Sequence, residues 1–459
     1  MSTTNDASSA RKARAFPARR TLPMLVRDPL NALEEIGRRS GGEVVRLSMG
    51  IFRPYLVTHP HHVQHILRDN VDNYRREGMM WKPLSRLIGE PSDADPSWPL
   101  KRTAYQALLT AKSVERFTAE MIAAIEEAVD QLDQRGRAGR PLDAGAEITR
   151  IVWRAITRVF FGGRISISEA EELGRALATA TTASFRPRML LPFVPLSVPI
   201  PGDRAFQRAV EDVDEIVLPV VRAAHSRPTD DGDIVSMLAR ARDENGDRLS
   251  VGQIRDGVNS LLVAATESTV QALTLLWPVL DSHPEVAARL QAEIDRVVGT
   301  DRPAESHLAD LKYTKMMLEE LVRVYPPGWI IPRTVAADDV IGGVRVKSGD
   351  TLIFSPYLTH RLEDVWERPQ VFDPERFSPD RSRDRFAYVA FGGGPNQCMG
   401  RLFFTVEAQL IIAFLLSRFR PVLHGSSRTE LHAGLSLRPR GRVEITLWPL
   451  ERSTTFPER

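Results

Sequence analysis

Cysteine is almost absent: 459 residues contain one, Cys398. A single cysteine excludes an intrachain disulfide, argues against a secreted disulfide scaffold and fits a reducing compartment. A cytoplasmic location is therefore expected. Long apolar runs are also lacking. Near the C-terminus the longest, Leu410 to Leu416, falls far short of the ~20 residues that span a bilayer, so no integral membrane segment is expected. The stretch from Met189 to Pro201 is apolar, but Pro192, Pro195, Pro199 and Pro201 break any continuous helix. It reads as a loop, with a lid or a weak membrane contact as alternatives. Net charge is only +2. No global basic field calls for nucleic acid. Such charge as there is concentrates in the first twenty residues, where Arg11, Lys12, Arg14, Arg19 and Arg20 face only Asp6. That polar, small-residue segment, 1–20, reads as a disordered basic tail, with an organelle transit peptide as the lesser alternative.

What is present is ordinary for a large globular core: 42% hydrophobic and 26% charged residues. There is no internal repeat and no long linker. Apolar spacing predicts helices over roughly 114–135, 146–161, 168–182 and 203–226. Ser250 and Gln253 form a capping-box pattern opening a long helix to about Leu280. Another helix covers about 311–325 and stops before Pro326-Pro327. Val44 to Leu47 and Tyr55 to Val57 read as a hairpin. So do Val344 to Val346 and Thr351 to Phe354, around Ser348-Gly349-Asp350. The chain is predicted to be mainly α with a minor β part.

The single cysteine lies in Phe391-Gly392-Gly393-Gly394-Pro395-Asn396-Gln397-Cys398-Met399-Gly400, a glycine-rich bend before an apolar helix. Such a bend offers close backbone approach and N–H groups that stabilise negative sulfur. Cys398 is either a small buried core residue or a soft ligand to one iron. Glu320 and Arg323 fall at i, i+3 on one helical face, either as a solvated pair or as a buried structural one. Phe372-Asp373-Pro374-Glu375-Arg376-Phe377 supplies a second arginine shortly before the bend. In the long helix, Thr266-Glu267-Ser268-Thr269 interrupts largely apolar sequence. Hydroxyls there can bond back one turn and loosen the helix. Glu267 either faces solvent or serves proton delivery to something bound against that face.

Together, in this order, these segments resemble the cytochrome P-450 superfamily of haem-thiolate monooxygenases, in its soluble bacterial form. Phe391, Gly394, Cys398 and Gly400 match the family's Phe-x-x-Gly-x-x-x-Cys-x-Gly. Glu320 and Arg323 match its Glu-x-x-Arg helix, Arg376 its Pro-Glu-Arg-Phe arginine, and Ala264 to Thr269 its oxygen-activating helix. The resemblance covers about residues 21–450, which implies one catalytic domain over 21–459 and the cytochrome P-450 fold: a long central helix over haem, and a thiolate loop before the proximal helix. It implies haem b with Cys398 as axial ligand, where thiolate donation favours O–O cleavage. Phe391 would pack by the sulfur, and Gly394 and Gly400 would let the chain wrap beneath the porphyrin. Glu320, Arg323 and Arg376 would form a buried network holding the loop. Glu267 and Ser268, with Thr269 as an alternative, would relay protons. Trp98 and Arg102, matching Trp-x-x-x-Arg, and Arg333 would contact propionates.

Three departures stand out. Asn396 replaces a usual Arg or His at a propionate contact, Ser268 replaces the usual threonine, and Ala265 stands where glycine is frequent. The resemblance assigns substrate contacts to Met79, Met80 and Trp81, to Leu261 and Ala265, to Trp329, Ile330 and Ile331, and to Gly434 and Leu435. The set is apolar and favours a lipophilic substrate. The expected activity is O2-dependent hydroxylation or epoxidation, as in terpenoid or polyketide secondary metabolism. The expected state is a monomer served by a separate ferredoxin and an NAD(P)H-dependent ferredoxin reductase. Lys101, Arg102 and Arg401 are expected on the ferredoxin-facing side. A peroxide-using or isomerase-type enzyme and a haem-based binding or sensor protein are the alternatives.

Overall fold

The computed structural model describes residues 10–49, 52–76, 82–90, 95, 97–136, 139–183, 194–195, 197–242, 246–425 and 430–450. The organising element is the helix Val251–Ser282. Its start is fixed locally: Ser250 accepts from the Gln253 N–H while the Gln253 side chain accepts from the Ser250 N–H. Most of its sides are buried, as its nearly continuous apolar sequence requires. Around it lie Ala111–Gly136, Ala144–Phe161, Ile167–Ala183 and Asp203–Ser226, close to the bounds that apolar spacing predicts. These helices and Arg401–Leu416 share one large hydrophobic core. Among the described residues no helix is long and apolar enough to cross a membrane.

Two smaller cores sit on either face of a six-stranded sheet. Its order is Arg14–Phe16, Val45–Leu47, Tyr55–Val57, Thr351–Phe354, Ile331–Val335, Tyr74–Arg75. The first hairpin forms as expected, with Val45 opposite Leu56. The second does not. Val344–Val346 turns back onto Asp339–Ile341, because Gly342 and Gly343 both take positive φ, 55° and 75°. That is the conformation a two-residue hairpin turn needs. The turn at Ser348-Gly349-Asp350 instead sends Thr351–Phe354 into the other sheet, between Tyr55–Val57 and Ile331–Val335.

The N-terminal tail also departs from expectation. Within the segment 1–20 that composition marks as disordered, Arg14–Phe16 adds a parallel edge strand beside Val45–Leu47. A helix follows over Ala18–Arg27. Arg14 donates to the Arg39 carbonyl at 2.6 Å and Phe16 packs against a sheet core. An open sheet edge satisfies the backbone of a polar segment that could not build a core of its own.

Candidate haem-binding site

Cys398 closes a loop whose shape is set by backbone hydrogen bonds: its N–H donates to the Phe391 carbonyl at 2.8 Å. The N–H groups of Gly400 and Arg401, at the start of Arg401–Leu416, point at the sulfur. By surface area the thiol is exposed, but that surface faces an internal cavity of about 570 Å³, and protein encloses the rest of it. Burial raises the thiol's pKa; the two N–H groups and the Arg76 and Arg401 charges oppose the rise. Gly394, in contrast, does not line the cavity. It has φ +65°, and a Cβ there would lie 1.9 Å from the Leu67 carbonyl oxygen. Its lack of a side chain lets the loop press onto the π-helical turn His65–Asp69.

The opposite wall is the central helix, which presents Leu261, Ala264, Ala265 and Ser268 to the same cavity. Ser268 donates to the Ala264 carbonyl at 2.8 Å, one turn back. Thr266 and Thr274 do likewise to Leu262 and Val270 at 2.7 Å. Thr269 is buried, with its hydroxyl 2.9 Å from the Ala265 carbonyl and 3.0 Å from a carboxylate oxygen of Glu407. Glu267 is not brought into the cavity. Its carboxylate accepts from the Ser436 hydroxyl at 2.5 Å and faces a separate small space whose lining includes Thr181, Thr182 and His432.

Of the other expected contacts, Trp98, Arg333, Phe391, Asn396 and Gly400 line the cavity, as do Ile330, Ile331, Gly434 and Leu435. Trp329 does not; it is buried, and its indole N–H donates to the Gly434 carbonyl at 2.9 Å. Met79, Met80 and Trp81 lie outside the described residues. Arg102 turns to the loop itself, donating to Asn396 Oδ1 at 2.9 Å and to the Pro395 carbonyl. An asparagine at 396 thus serves as acceptor for an arginine, a part that a cation there could not play. Arg76, which spacing did not mark, lines the cavity and donates to the Asn396 carbonyl at 2.7 Å. Lys101 is buried and paired with Asp95 at 2.6 Å, and is therefore not available on a docking face. Arg401 keeps partial exposure while paired with Glu319 at 2.8 Å.

Glu320 and Arg323 are both fully buried. Arg323 grips the carboxylate with two bonds, 2.6 and 2.8 Å. The Asp373 N–H donates to it at 2.8 Å and Arg376 approaches at 3.4 Å. Burial alone pushes this carboxyl up; the guanidinium groups and the N–H oppose it and supply the partners a buried charge requires. The connection to the cysteine loop runs through His360. Its Nδ1 lies 2.9 Å from the Arg323 carbonyl, and its Nε2 accepts from the Val389 N–H at 2.9 Å. That pairing fixes a neutral tautomer, and burial lowers its pKa to about 3. No spacing rule marks His360.

These residues fit a thiolate-ligated haem: a sulfur facing an apolar chamber, N–H groups directed at it, and two cations, Arg76 and Arg333, among lining residues that include no carboxylate. The comparisons agree. The family model Cytochrome P450 matches residues 22–445, and the chain belongs to that family. It is 29% identical over 401 residues to pentalenene oxygenase of Streptomyces avermitilis, covering 86% of this chain and 87% of that one. Cyclooctatin synthase of Streptomyces melanosporofaciens is 28% identical, covering 93% and 91%. The crystal structure of a cytochrome P450DA heme domain superimposes with a TM-score of 0.85 at 22% identity, covering 96% and 98%. The protein is accordingly an oxidoreductase, a monooxygenase using haem, O2 and electrons from redox partners.

Proposed function

We propose that the protein hydroxylates or epoxidises a lipophilic terpenoid in secondary metabolism. Cys398 would be the axial ligand of haem b, and a ferredoxin with an NAD(P)H-dependent ferredoxin reductase would supply electrons to a cytoplasmic monomer. One observation carries the reading: Cys398, from its loop, and Ser268, from the central helix, line a single, mainly apolar cavity of about 570 Å³. The haem when bound supplies dioxygen binding and reductive activation. Ser268 would offer its hydroxyl to that chamber, and Leu261, Ile330, Ile331 and Leu435 would exclude water and hold an apolar body. Arg76 and Arg333 suit propionates, and the Trp98 indole lines the same chamber. The relatives named for pentalenene and for cyclooctatin support the substrate class.

The test has two stages. Reduced protein under carbon monoxide should show the red-shifted Soret band of a thiolate haem, lost in Cys398→Ala. A histidine-type band would sink the assignment. Cyclic terpenoids that shift the spin state should then be oxidised with surrogate redox partners; a panel giving neither shift nor product refutes the substrate class. The turn of Glu267 toward Ser436 favours one competing reading, a peroxide-using enzyme. Turnover with hydrogen peroxide that surpasses turnover with every electron donor would establish it.

A further inference from the structure

The helices Ala111–Gly136, Ala144–Phe161 and Ile167–Ala183 line a second, partly open cavity of about 360 Å³, which shares no lining residue with the haem chamber. Its volume falls within the ~300–1,000 Å³ of small-molecule sites. Small side chains open it: Ala146, Ala170, Gly174 and Ala178. Trp153 forms an aromatic wall, packed so closely that a Cβ on Gly174 would lie 3.1 Å from the indole ring.

Cations dominate the rim. Arg150, Arg154 and Arg158 recur every fourth residue, which places them along one helical face, and Arg175 faces them from Ile167–Ala183. The lining carboxylates are Glu127 and Glu171. Arg150 is neutralised by Glu147, and Arg158 by Glu120 at 3.1 Å and Glu127 at 3.6 Å. The middle guanidinium is different. Arg154 donates one bond, to Gln131 Oε1 at 2.6 Å, while its Nε and Nη1 are buried with no partner among the described residues. No carboxylate pairs with this guanidinium among the described residues, so its charge at the cavity wall is left for an anion to neutralise. Arg175 has no ion pair among the described residues either.

We propose that this cavity is a second small-molecule site that takes an amphiphilic anion. A carboxylate or phosphate head engages Arg154 and Arg175, and an apolar body lies over Trp153 and the alanines. The probe is the haem-loaded protein labelled with 5-fluorotryptophan, which gives seven fluorine signals, one per tryptophan. Trp153→Phe identifies the signal of interest. Decanoate and decyl phosphate are titrated beside neutral decanol, with the Soret band followed in parallel so that entry into the haem chamber is seen separately. At least one of the anions should move the Trp153 signal saturably; which of them does so identifies the head group. Decanol should not. Arg154→Met should weaken the response at least tenfold, and Arg175→Met, at an exposed position, should weaken it without touching the core. No shift with either anion, an equal shift with decanol, or an undiminished shift in both arginine variants would overturn the proposal.

Discussion

Replacing Glu407 by glutamine should stabilise the protein at neutral pH and slightly destabilise it in mild acid. Glu407 stands in the apolar helix Arg401–Leu416, fully buried. Its Oε1 has no hydrogen-bond partner among the described residues, and its Oε2 meets only Thr269. A threonine hydroxyl has one proton. If Thr269 gives it to the Ala265 carbonyl, Glu407 must itself be protonated to donate to Thr269. Burial, slightly offset by Thr269, raises its pKa from 4.5 to about 8. The sign follows from proton counting: between those values the folded chain holds a proton that the unfolded chain has released. Stability from this group is therefore intact below 4.5 and falls as pH rises, by about 1.4 kcal/mol per unit, or about 3 kcal/mol by pH 7. Glutamine cannot ionise and can donate to Thr269, but strands its second N–H, at about 1 kcal/mol. The net expectation is a gain of about 2 kcal/mol at pH 7 and a small loss at pH 5. For a chain this long that is about 2 °C in melting temperature at pH 7. Calorimetric scans of both haem-loaded proteins from pH 5 to 8 should show the difference changing sign. Melting curves that stay parallel across that range would refute the protonated state.

Three further outcomes are expected. His360 is neutral in the fold with a pKa near 3 against an ordinary 6.5; the unfolded chain gains a proton first, so stability falls about 1.4 kcal/mol per unit as pH drops below 6.5. His360→Ala should flatten that slope and lower haem occupancy, and an unchanged slope would contradict the linkage. Glu320→Ala or Arg323→Ala leaves a buried charge unpaired, at about 3–5 kcal/mol, and should yield little haem-loaded protein; full occupancy in both would deny the network its structural role. Gly394→Ala should likewise abolish haem loading through the 1.9 Å encounter with the Leu67 carbonyl, whereas Gly441→Ala, with nothing within 4 Å of the added carbon, should be neutral by visible absorbance and melting temperature.

Much of this architecture is legible locally. The capping box at Ser250 and Gln253 and the apolar spacing of the long helices depend on neighbours within a turn or two, so sequence places them well. The Gly342-Gly343 hairpin carries an equally local signal, a glycine pair between β-formers; the neighbouring Ser348-Gly349-Asp350 turn carries a competing one, yet the strands it joins pair with other partners. Glu407 too leaves a trace, as the one carboxylate in a mainly apolar helix. His360, Arg76 and the orientation of Glu267 leave none. His360 matters only because Arg323 and Val389, 37 and 29 residues away in the chain, converge on its two nitrogens. Glu267 points away from the cavity because Ser436, 169 residues on, offers a hydroxyl.

The sequence by itself determined the long helices, the glycine bend that carries Cys398, and the Glu320 and Arg323 pair on one helical face. Each follows from hydrogen-bond reach and steric freedom within a few residues. Only the tertiary structure decided which polar groups meet: Arg102 with Asn396 across 294 positions, Thr269 with Glu407 across 138, and Cys398 with the helix bearing Ser268 across one cavity. It also decided which groups lose water and so which protons they hold. Desolvation and pairing are properties of packed segments, and no spacing along the chain encodes them.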